Sequence, residues 1–320
     1  MRIAVIGGSG FLGSSLCKIL KNNEKPFVNY DINKSLDFPD DYEYFSVENK
    51  NSDFKSSYNA IINLAAVHRD DERKEDYHKV NVEGARNICD LASRRSINKI
   101  IFTSTVAIYG FSDGPIDEDF NPNPFNDYGK SKLEAEEIYK EWQREDPIKR
   151  SLVIIRPTVI FGENNRGNVF NLIKQIKSKF FVMIGDGNNI KSMSYVENVA
   201  QFLYQCIELK EGLYIKNYVD KPDLKTKDIV RIVQKSLSIK QFKKFYLPIN
   251  IGLFAGILVD LLSSLTGKKF PISLIRVKKF TSNTIINSNK NFFNFNPPVS
   301  LDDALEKTIT YEFKSNDEIL

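Results

Sequence analysis

Apolar residues follow two alternating patterns along the first half of the chain. Short runs of β-branched and aromatic residues predict buried parallel strands. These runs lie at 2–6, 27–30, 60–64, 100–104 and 152–156. Stretches of helical periodicity separate several of them, at 10–21, 77–95 and 128–144. Strands that alternate with helices at short intervals are typical of βαβ units, so we expect an α/β fold with a doubly wound parallel sheet.

The pattern loosens after about residue 160. Turn-rich segments at 164–168 and 185–189 are followed by short helical patterns at 196–208 and 226–237. We therefore expect a first domain over 1–160, to which some later segments return, and a smaller C-terminal α/β lobe over 161–320 that closes over it. An Asn-rich patch at 287–296 is interpreted as a loop.

One later segment, 247–265, is almost wholly apolar, with Asp260 as its only formal charge. Pro248, Gly252, Gly256 and that aspartate make it a poor membrane-spanning helix. The interpretation we favour is a buried helix or a substrate lid. The alternative is a helix that rests on a membrane surface and gives weak peripheral contact.

Composition narrows the class of protein. The 320 residues are 42% hydrophobic and 27% charged with a net charge of +4, which suits a soluble globular protein and does not favour nucleic acid as a partner. The basic pairs at 243–244 and 268–269 are interpreted as solvated surface. Cys17, Cys89 and Cys206 are far apart and indicate small buried side chains in a reducing compartment. The chain opens on a strand, so we expect a cytoplasmic protein. No residue spacing suggests a metal site.

A glycine-rich loop follows the first predicted strand and opens a helix. Gly7, Gly10 and Gly13, with Phe11 and Leu12 between the last two, form GxxGxxG. Such glycines permit a tight turn, close approach of a pyrophosphate, and close packing of helix on strand. The helix N-terminus then offers unpaired N–H groups to phosphates. The loop predicts a Rossmann-type dinucleotide site.

Asp31 stands at the end of the next strand, 18 residues after Gly13. An acid at this place accepts hydrogen bonds from the adenosine ribose hydroxyls. Since its carboxylate would repel a 2′-phosphate, the sequence favours NAD over NADP.

Tyr128 and Lys132 form a YxxxK pair at the start of a predicted helix, where the spacing puts both side chains on one face. A tyrosine of ordinary pKa near 10 is a poor base. A nearby ammonium, together with NAD⁺, is expected to lower that pKa. Hydroxyl-bearing residues at 103–105 end a strand and face the same crevice, which indicates proton and hydride transfer.

These motifs resemble the extended short-chain dehydrogenase/reductases, specifically the NAD-dependent nucleotide-sugar epimerase/dehydratase family. The resemblance rests on GGSGFLG at 7–13, NLAA at 63–66, TSTVAIYG at 103–110, YGKSK at 128–132, RPTVIFG at 156–162 and GDGNNIKSMSYVENVA at 185–200. It implies Thr105 as the catalytic hydroxyl, Tyr128 as base and acid, and Lys132 as its partner. It also implies that Leu64, Ala65, Ala66 and Asn81 line or support the cofactor site, and that the helices from Tyr77 and Tyr128 form a homodimer interface.

Within the family, Thr105 is followed by Val106 and Ala107, where dehydratases and decarboxylating relatives carry acidic residues. We therefore expect a nucleotide-sugar 4-epimerase that works through a 4-keto intermediate, serving surface polysaccharide synthesis. An NAD(P)H-dependent 4-ketoreductase, a sterol-type dehydrogenase and a non-catalytic cofactor sensor are the alternatives.

The substrate pocket departs from the family pattern. Val159 replaces an Asn that binds the sugar phosphates, and Lys191 and Ser192 replace an Arg and an Asp. Lys191 can still pair with a phosphate, without bidentate geometry. Asn168 is a candidate substrate contact. The partner expected is a nucleoside diphosphate sugar, and these departures suggest an N-acetylated or deoxy sugar.

Overall fold

Seven parallel strands form the central sheet of the computed structural model, which describes residues 1–68, 73–112, 114–178, 181–239, 246–266 and 273–314. The strands of the described chain are β1 Ile3–Ile6, β2 Phe27–Asp31, β3 Tyr42–Tyr44, β4 Ala60–Asn63, β5 Lys99–Thr103, β6 Ser151–Pro157, β7 Val159–Phe161, β8 Met183–Ile184, β9 Ile190–Tyr195, β10 Gly212–Tyr218, β11 Asp220–Lys225 and β12 Tyr246–Leu247. The order in the large sheet is β10-β6-β5-β4-β1-β2-β3. The predicted α/β class and doubly wound parallel sheet are confirmed.

Helices cover both faces of this sheet. They are α1 Phe11–Asn22, α2 Lys74–Tyr77, α3 Gly84–Arg94, α4 Asp127–Glu145, α5 Asn168–Lys177, α6 Val196–Cys206, α7 Thr226–Ser236, α8 Ile249–Thr266, α9 Leu274–Thr281 and α10 Leu301–Ile309. A π-helical turn, His78–Glu83, joins α2 to α3, and a 3₁₀ turn, Val106–Tyr109, follows β5. The apolar faces of α1 and α6 pack on one side of the sheet, and those of α3 and α4 pack on the other.

The direction in which strands are added reverses between β1 and β4. β1 pairs with β2 on one side and with β4 on the other. The two loops touch where they leave the sheet, and the helices that follow them, α1 and α3, pack on opposite faces. In an open α/β sheet such a reversal leaves a crevice at the carboxyl ends of the strands. The glycine loop, the residues after β4 and the end of β5 all lie at this edge.

The second half of the chain is interleaved with the first. β10 pairs with β6 and completes the large sheet, whereas β11, β9 and β7 form a separate three-stranded sheet. The Asn-rich patch at 287–296 contains no helix or strand. A domain boundary at residue 160 stays a prediction.

The apolar segment at 247–265 forms α8, and the expectation that it is buried is wrong. Phe254 is 61% exposed and Leu261 is 57% exposed. The helix presents these side chains outwards because its two glycines, Gly252 and Gly256, are its buried positions. Among the described residues, no helix has the length and apolar character needed to cross a membrane. The three cysteines are buried and unpaired.

Candidate active site

The glycine loop turns directly from β1 into α1. Gly7 has a φ of +82°, and a Cβ there would lie 2.7 Å from the backbone nitrogen of Ala65. A Cβ on Gly13 would overlap the carbonyl oxygen of Gly7. Side chains at these two positions would therefore force the loop away from α1 and from the segment after β4. The loop is a cradle shaped by backbone atoms alone, as a pyrophosphate site requires.

The first turn of α1 is open to an anion. Gly10 is its N-cap and has no side chain to accept a hydrogen bond, and the first turn contains no acidic residue. Phe11 and Leu12 begin the helix, with Leu12 buried in the core. The amide dipoles of this turn therefore keep their partial positive charge for a ligand phosphate.

Asp31 ends β2 beside this loop. Its Oδ2 accepts a hydrogen bond from the backbone N–H of Ser9 at 3.1 Å, and its Oδ1 accepts one from Asn33 at 2.8 Å. The carboxylate is 9% exposed. These bonds hold its charge at the edge of the glycine loop, where the sequence places the adenosine ribose.

The segment after β4 is fixed from both sides. Ala65 donates its N–H to Oδ1 of Asn63 at 3.1 Å, and Leu64 and Ala66 flank it. Asn81 is 4% exposed and bonds both backbone groups of Val67 at 3.0 Å. Its Nδ2 also donates to the hydroxyl of Ser131 at 2.9 Å. Asn81 thus connects the segment after β4 with α4.

Tyr128 lies in the first turn of α4. Asn126 caps this helix, its Oδ1 accepting from the N–H of Gly129 at 2.9 Å. A Cβ on Gly129 would lie 2.7 Å from the carbonyl oxygen of Ala107, so the helix packs directly on the 3₁₀ turn after β5. That contact brings Tyr128 near Thr105, whose hydroxyl acts to lower the pKa of the phenol. The two candidate catalytic hydroxyls are therefore adjacent.

Burial controls the ionisation of this pair. Burial raises the pKa of Tyr128 to about 12, and the hydrogen bond with Thr105 opposes that shift. Burial also lowers the pKa of Lys132 to about 7, against the attraction of Glu136. The ammonium lies 4.1 Å from the centre of the Phe102 ring. The pKa of Tyr128 is therefore raised, whereas the sequence predicted that the neighbouring lysine would lower it, because burial is the largest influence on the phenol.

A buried ionic network behind the site was missed by sequence reasoning. Glu136 is fully buried and accepts two hydrogen bonds from Arg156, at 2.9 and 2.7 Å. Its Oε1 also accepts from Ser104 at 2.6 Å, and Arg156 donates to the Tyr109 hydroxyl at 2.7 Å. Burial would lower the pKa of Arg156, but Glu136 outweighs it and raises that pKa.

This network ties the end of β5 to α4 and β6, one residue before Thr105. The signal was present in the sequence, because Glu136 follows Tyr128 and Lys132 at steps of four residues along one helical face. An acid on that face needs a buried cation, and Arg156 of the RPTVIFG motif supplies it.

The two candidate substrate residues of the second half belong to different elements, Asn168 to α5 and Lys191 to β9. Asn168 is exposed at the start of α5. Lys191 donates from Nζ to the backbone carbonyls of Lys279 at 2.7 Å and Ser282 at 2.6 Å. Burial lowers its pKa to about 8. Its ammonium therefore holds the end of α9 in this arrangement instead of facing open solvent.

Comparison with known proteins assigns this architecture. Residues 3–215 match the NAD dependent epimerase/dehydratase family. The chain is 41% identical, over 97% of its own length and 95% of the relative, to N-acetyl-α-D-glucosaminyl-diphospho-ditrans,octacis-undecaprenol 4-epimerase of Escherichia coli O157:H7. It is 24% identical to UDP-glucose 4-epimerase of Vibrio cholerae, over 98% of this chain and 96% of that one.

The fold also matches a solved structure, that of UDP-glucuronic acid 4-epimerase from Bacillus cereus in complex with NAD. The TM-score is 0.74 at 21% identity, and the match covers 97% of this chain and 98% of that one. This likeness confirms the arrangement of the sheet and its helices.

Proposed function

This chain belongs to the NAD dependent epimerase/dehydratase family, and from that premise we propose that it is an NAD-dependent 4-epimerase of a diphosphate-linked sugar. The observation that carries the proposal is the 41% identity, along nearly the whole chain, to an enzyme named as a 4-epimerase. The adjacent Thr105 and Tyr128 supply the proton-transfer groups that such a reaction needs.

The described residues fit the cofactor. The cradle of Gly7, Gly10 and Gly13 and the open N-terminus of α1 would hold the pyrophosphate. Asp31 would accept hydrogen bonds from the adenosine ribose, and Lys132 would donate to the nicotinamide ribose. When bound, the cofactor would accept the hydride from C4 of the sugar in its oxidised form and would donate it back in its reduced form, so that no net reductant is consumed.

The chain's own residues manage the proton of the C4 hydroxyl. Tyr128 takes this proton as a phenolate and returns it when the carbonyl is reduced from the other face. Thr105, whose hydroxyl already acts to lower the pKa of Tyr128, stabilises the charge as the proton moves. Burial raises the pKa of the phenol, and a positive charge brought near it would lower that pKa. Without such a charge, Tyr128 stays protonated and neutral at physiological pH.

The substrate we favour is an N-acetylhexosamine linked through a diphosphate to a polyprenol. The relative at 41% identity carries such a lipid-linked sugar in its name. Two family contacts for a nucleotide sugar are also weak here: Val159 replaces a phosphate-binding Asn, and Lys191 is occupied by backbone carbonyls. A nucleoside diphosphate sugar is the second candidate, since the relative from Vibrio cholerae is named for one.

One experiment tests both substrate classes. Purified protein is incubated with GlcNAc-diphospho-undecaprenol and separately with UDP-GlcNAc, and the sugars released by acid are separated by chromatography. We expect GalNAc from the lipid-linked sugar, without net consumption of NADH. A net loss of NADH absorbance on a 4-keto sugar would instead assign a reductase. Tyr128→Phe should abolish turnover and leave NAD binding nearly intact, whereas the neighbouring Tyr77→Phe should retain turnover.

We further propose a homodimer that pairs α3 and α4 of two copies. The apolar residues of α3, such as Ile88 and Leu91, are buried within the same chain, so the outward faces are charged. Arg86 on α3 and Glu134 on α4 have opposite signs, which suits a two-fold pairing of α3 with the partner's α4. Light scattering should give twice the 36.7 kDa of the chain and a smaller mass at high salt.

A cytoplasmic location is proposed as well, supported by the unpaired cysteines.

A further inference from the structure

The helices α8 and α9 form a pair whose outer surface is strongly apolar; we call it the apolar hairpin, residues 249–266 and 273–281. Seven large apolar side chains of α8 are at least 44% exposed. They are Ile249, Ile251, Phe254, Ile257, Leu258, Leu261 and Leu262. Ile275 on α9 adds another at 42%. Contiguous exposed apolar surface of this kind marks an interaction site in a folded protein.

The orientation of α8 is the reverse of an ordinary surface helix, which turns its large apolar residues inwards. Here the glycines face the protein. A Cβ on Gly252 would lie 2.7 Å from Ile184, and one on Gly256 would lie 2.9 Å from the backbone of Leu274. Asp260, the only charged residue of α8, accepts a hydrogen bond from the N–H of Leu274 at 3.0 Å. The helix is thus anchored through its small residues and leaves its large ones outside.

Basic residues accompany this surface. The described residues of 246–266 and 273–300 contain four basic side chains, Arg276, Lys278, Lys279 and Lys290, and a single acidic residue, Asp260. Arg276 and Lys278 are exposed on α9, next to the apolar face of α8. An apolar face flanked by cations is complementary to a membrane of anionic phospholipids, whose surface attracts basic residues.

The apolar hairpin lies beside the catalytic helix. Nζ of Lys279 is 5.4 Å from the centre of the Phe125 ring, and Phe125 directly precedes Asn126, the N-cap of α4. Lys191 fixes the end of α9 through two carbonyls. The hairpin therefore lies within a few residues of the turn that carries Tyr128.

We propose that the apolar hairpin docks this protein on the surface of an anionic phospholipid membrane and so presents the active site to a substrate held in that membrane. The last clause rests on the proposed function; the docking does not. The large apolar residues of α8 enter the interfacial layer of the membrane, and the basic residues of α9 pair with lipid phosphates. A polyprenyl diphosphate sugar keeps its lipid in the bilayer while its sugar reaches the site.

The test is co-sedimentation of the purified full-length protein with vesicles, without substrate. Vesicles of phosphatidylglycerol are compared with vesicles of phosphatidylcholine. The variant is Phe254→Ser/Ile257→Ser/Leu258→Ser, which removes exposed apolar area without changing the charge. Ile148→Ser is the control, because Ile148 is 84% exposed on another part of the surface. We expect the wild type and the control to bind phosphatidylglycerol, and the triple variant to bind at least about 10-fold more weakly.

Equal binding by the triple variant and the wild type, or no binding of the wild type to either vesicle, would overturn the proposal. Loss of a larger oligomer in the triple variant, without any vesicle binding by the wild type, would assign the surface to a second copy of the chain. As a control for folding, the triple variant should unfold at the same temperature as the wild type. Vesicle binding without epimerisation of the lipid-linked sugar would refute the proposed function alone, and epimerisation without vesicle binding would refute the docking alone.

Discussion

At the scale of a single residue, we expect Asp31 to decide the choice of cofactor. Asp31→Asn keeps the size of the side chain and one acceptor oxygen for the N–H of Asn33, but it removes the negative charge that we expect to face the ribose. We expect NAD affinity to fall about 10-fold, corresponding to about 1.4 kcal/mol, and NADP affinity to fall less or to rise. Isothermal titration with both cofactors measures the two constants.

Asp41→Asn is the control for that experiment, since Asp41 pairs with the exposed Lys21 and not with the glycine loop. An equal loss of NAD and NADP affinity in Asp31→Asn would contradict the ribose assignment.

Lys132 makes the stability of the cofactor-free protein depend on pH. Its pKa is about 7 in the fold and 10.5 as the ordinary value. Because the folded pKa is the lower one, the unfolded chain binds more protons between these two pH values. Wild-type stability relative to Lys132→Met should therefore rise from pH 7 to 10, by up to about 1.4 kcal/mol per pH unit.

Urea unfolding at pH 7, 8, 9 and 10 measures this difference. Lys130→Met is the matched control on the same helix, because the Lys130 side chain is 62% exposed. Its difference from the wild type should stay constant over the same range. A constant difference for Lys132→Met as well would show that its ammonium is stabilised in the fold.

The sequence was enough to predict which residues form the candidate site, but it was not enough to predict their pKa values. The spacing of Tyr128 and Lys132 and the place of Thr105 after β5 follow from local order along the chain. The pKa of Lys132 does not, since it depends on the burial that Phe102 and the rest of the core impose. Only the folded chain reveals that burial.

At the scale of an element, the contact between α4 and the 3₁₀ turn after β5 sets the distance between Tyr128 and Thr105. Gly129→Ala improves helix propensity by up to about 1 kcal/mol, yet its Cβ would lie 2.7 Å from the carbonyl oxygen of Ala107. Since backbone cannot move aside cheaply, α4 must shift. We expect kcat to fall at least about 10-fold while the free energy of unfolding changes by only about 1 kcal/mol.

Gly114→Ala provides the comparison, because among the described residues, its chain neighbours aside, no atom lies within 4 Å of a Cβ at Gly114. Steady-state turnover and urea unfolding of the two variants separate the effect of packing from that of glycine replacement. Wild-type turnover in Gly129→Ala would mean that α4 tolerates the shift.

Elements differ in how much of their structure the sequence reveals. Strands β1, β2, β4, β5 and β6 of the large sheet and the long helices of the first half were predicted to within a few residues, because the strands bury continuous apolar runs and the helices bury one regularly spaced apolar face. β3, Tyr42–Tyr44, has three residues, and β11, Asp220–Lys225, contains Pro222 and two aspartates, so neither shows a strand pattern. The apolarity of α8 was clear, but apolarity alone does not tell a buried surface from an exposed one.

At the scale of the whole molecule, the apolar hairpin contacts Phe125, just before the helix that carries Tyr128. If the hairpin docks on a membrane as we propose, membrane composition should control turnover. We expect epimerisation of GlcNAc-diphospho-undecaprenol in phosphatidylglycerol vesicles to exceed that in phosphatidylcholine vesicles about 10-fold at low salt. The advantage should shrink at 0.5 M salt, where the Debye length falls to roughly 4 Å. A water-soluble analogue with a shortened prenyl chain is the control, because its rate should be the same with either vesicle. Equal rates on both vesicles at every salt concentration would mean that the basic residues of α9 do not contribute to presentation of the substrate.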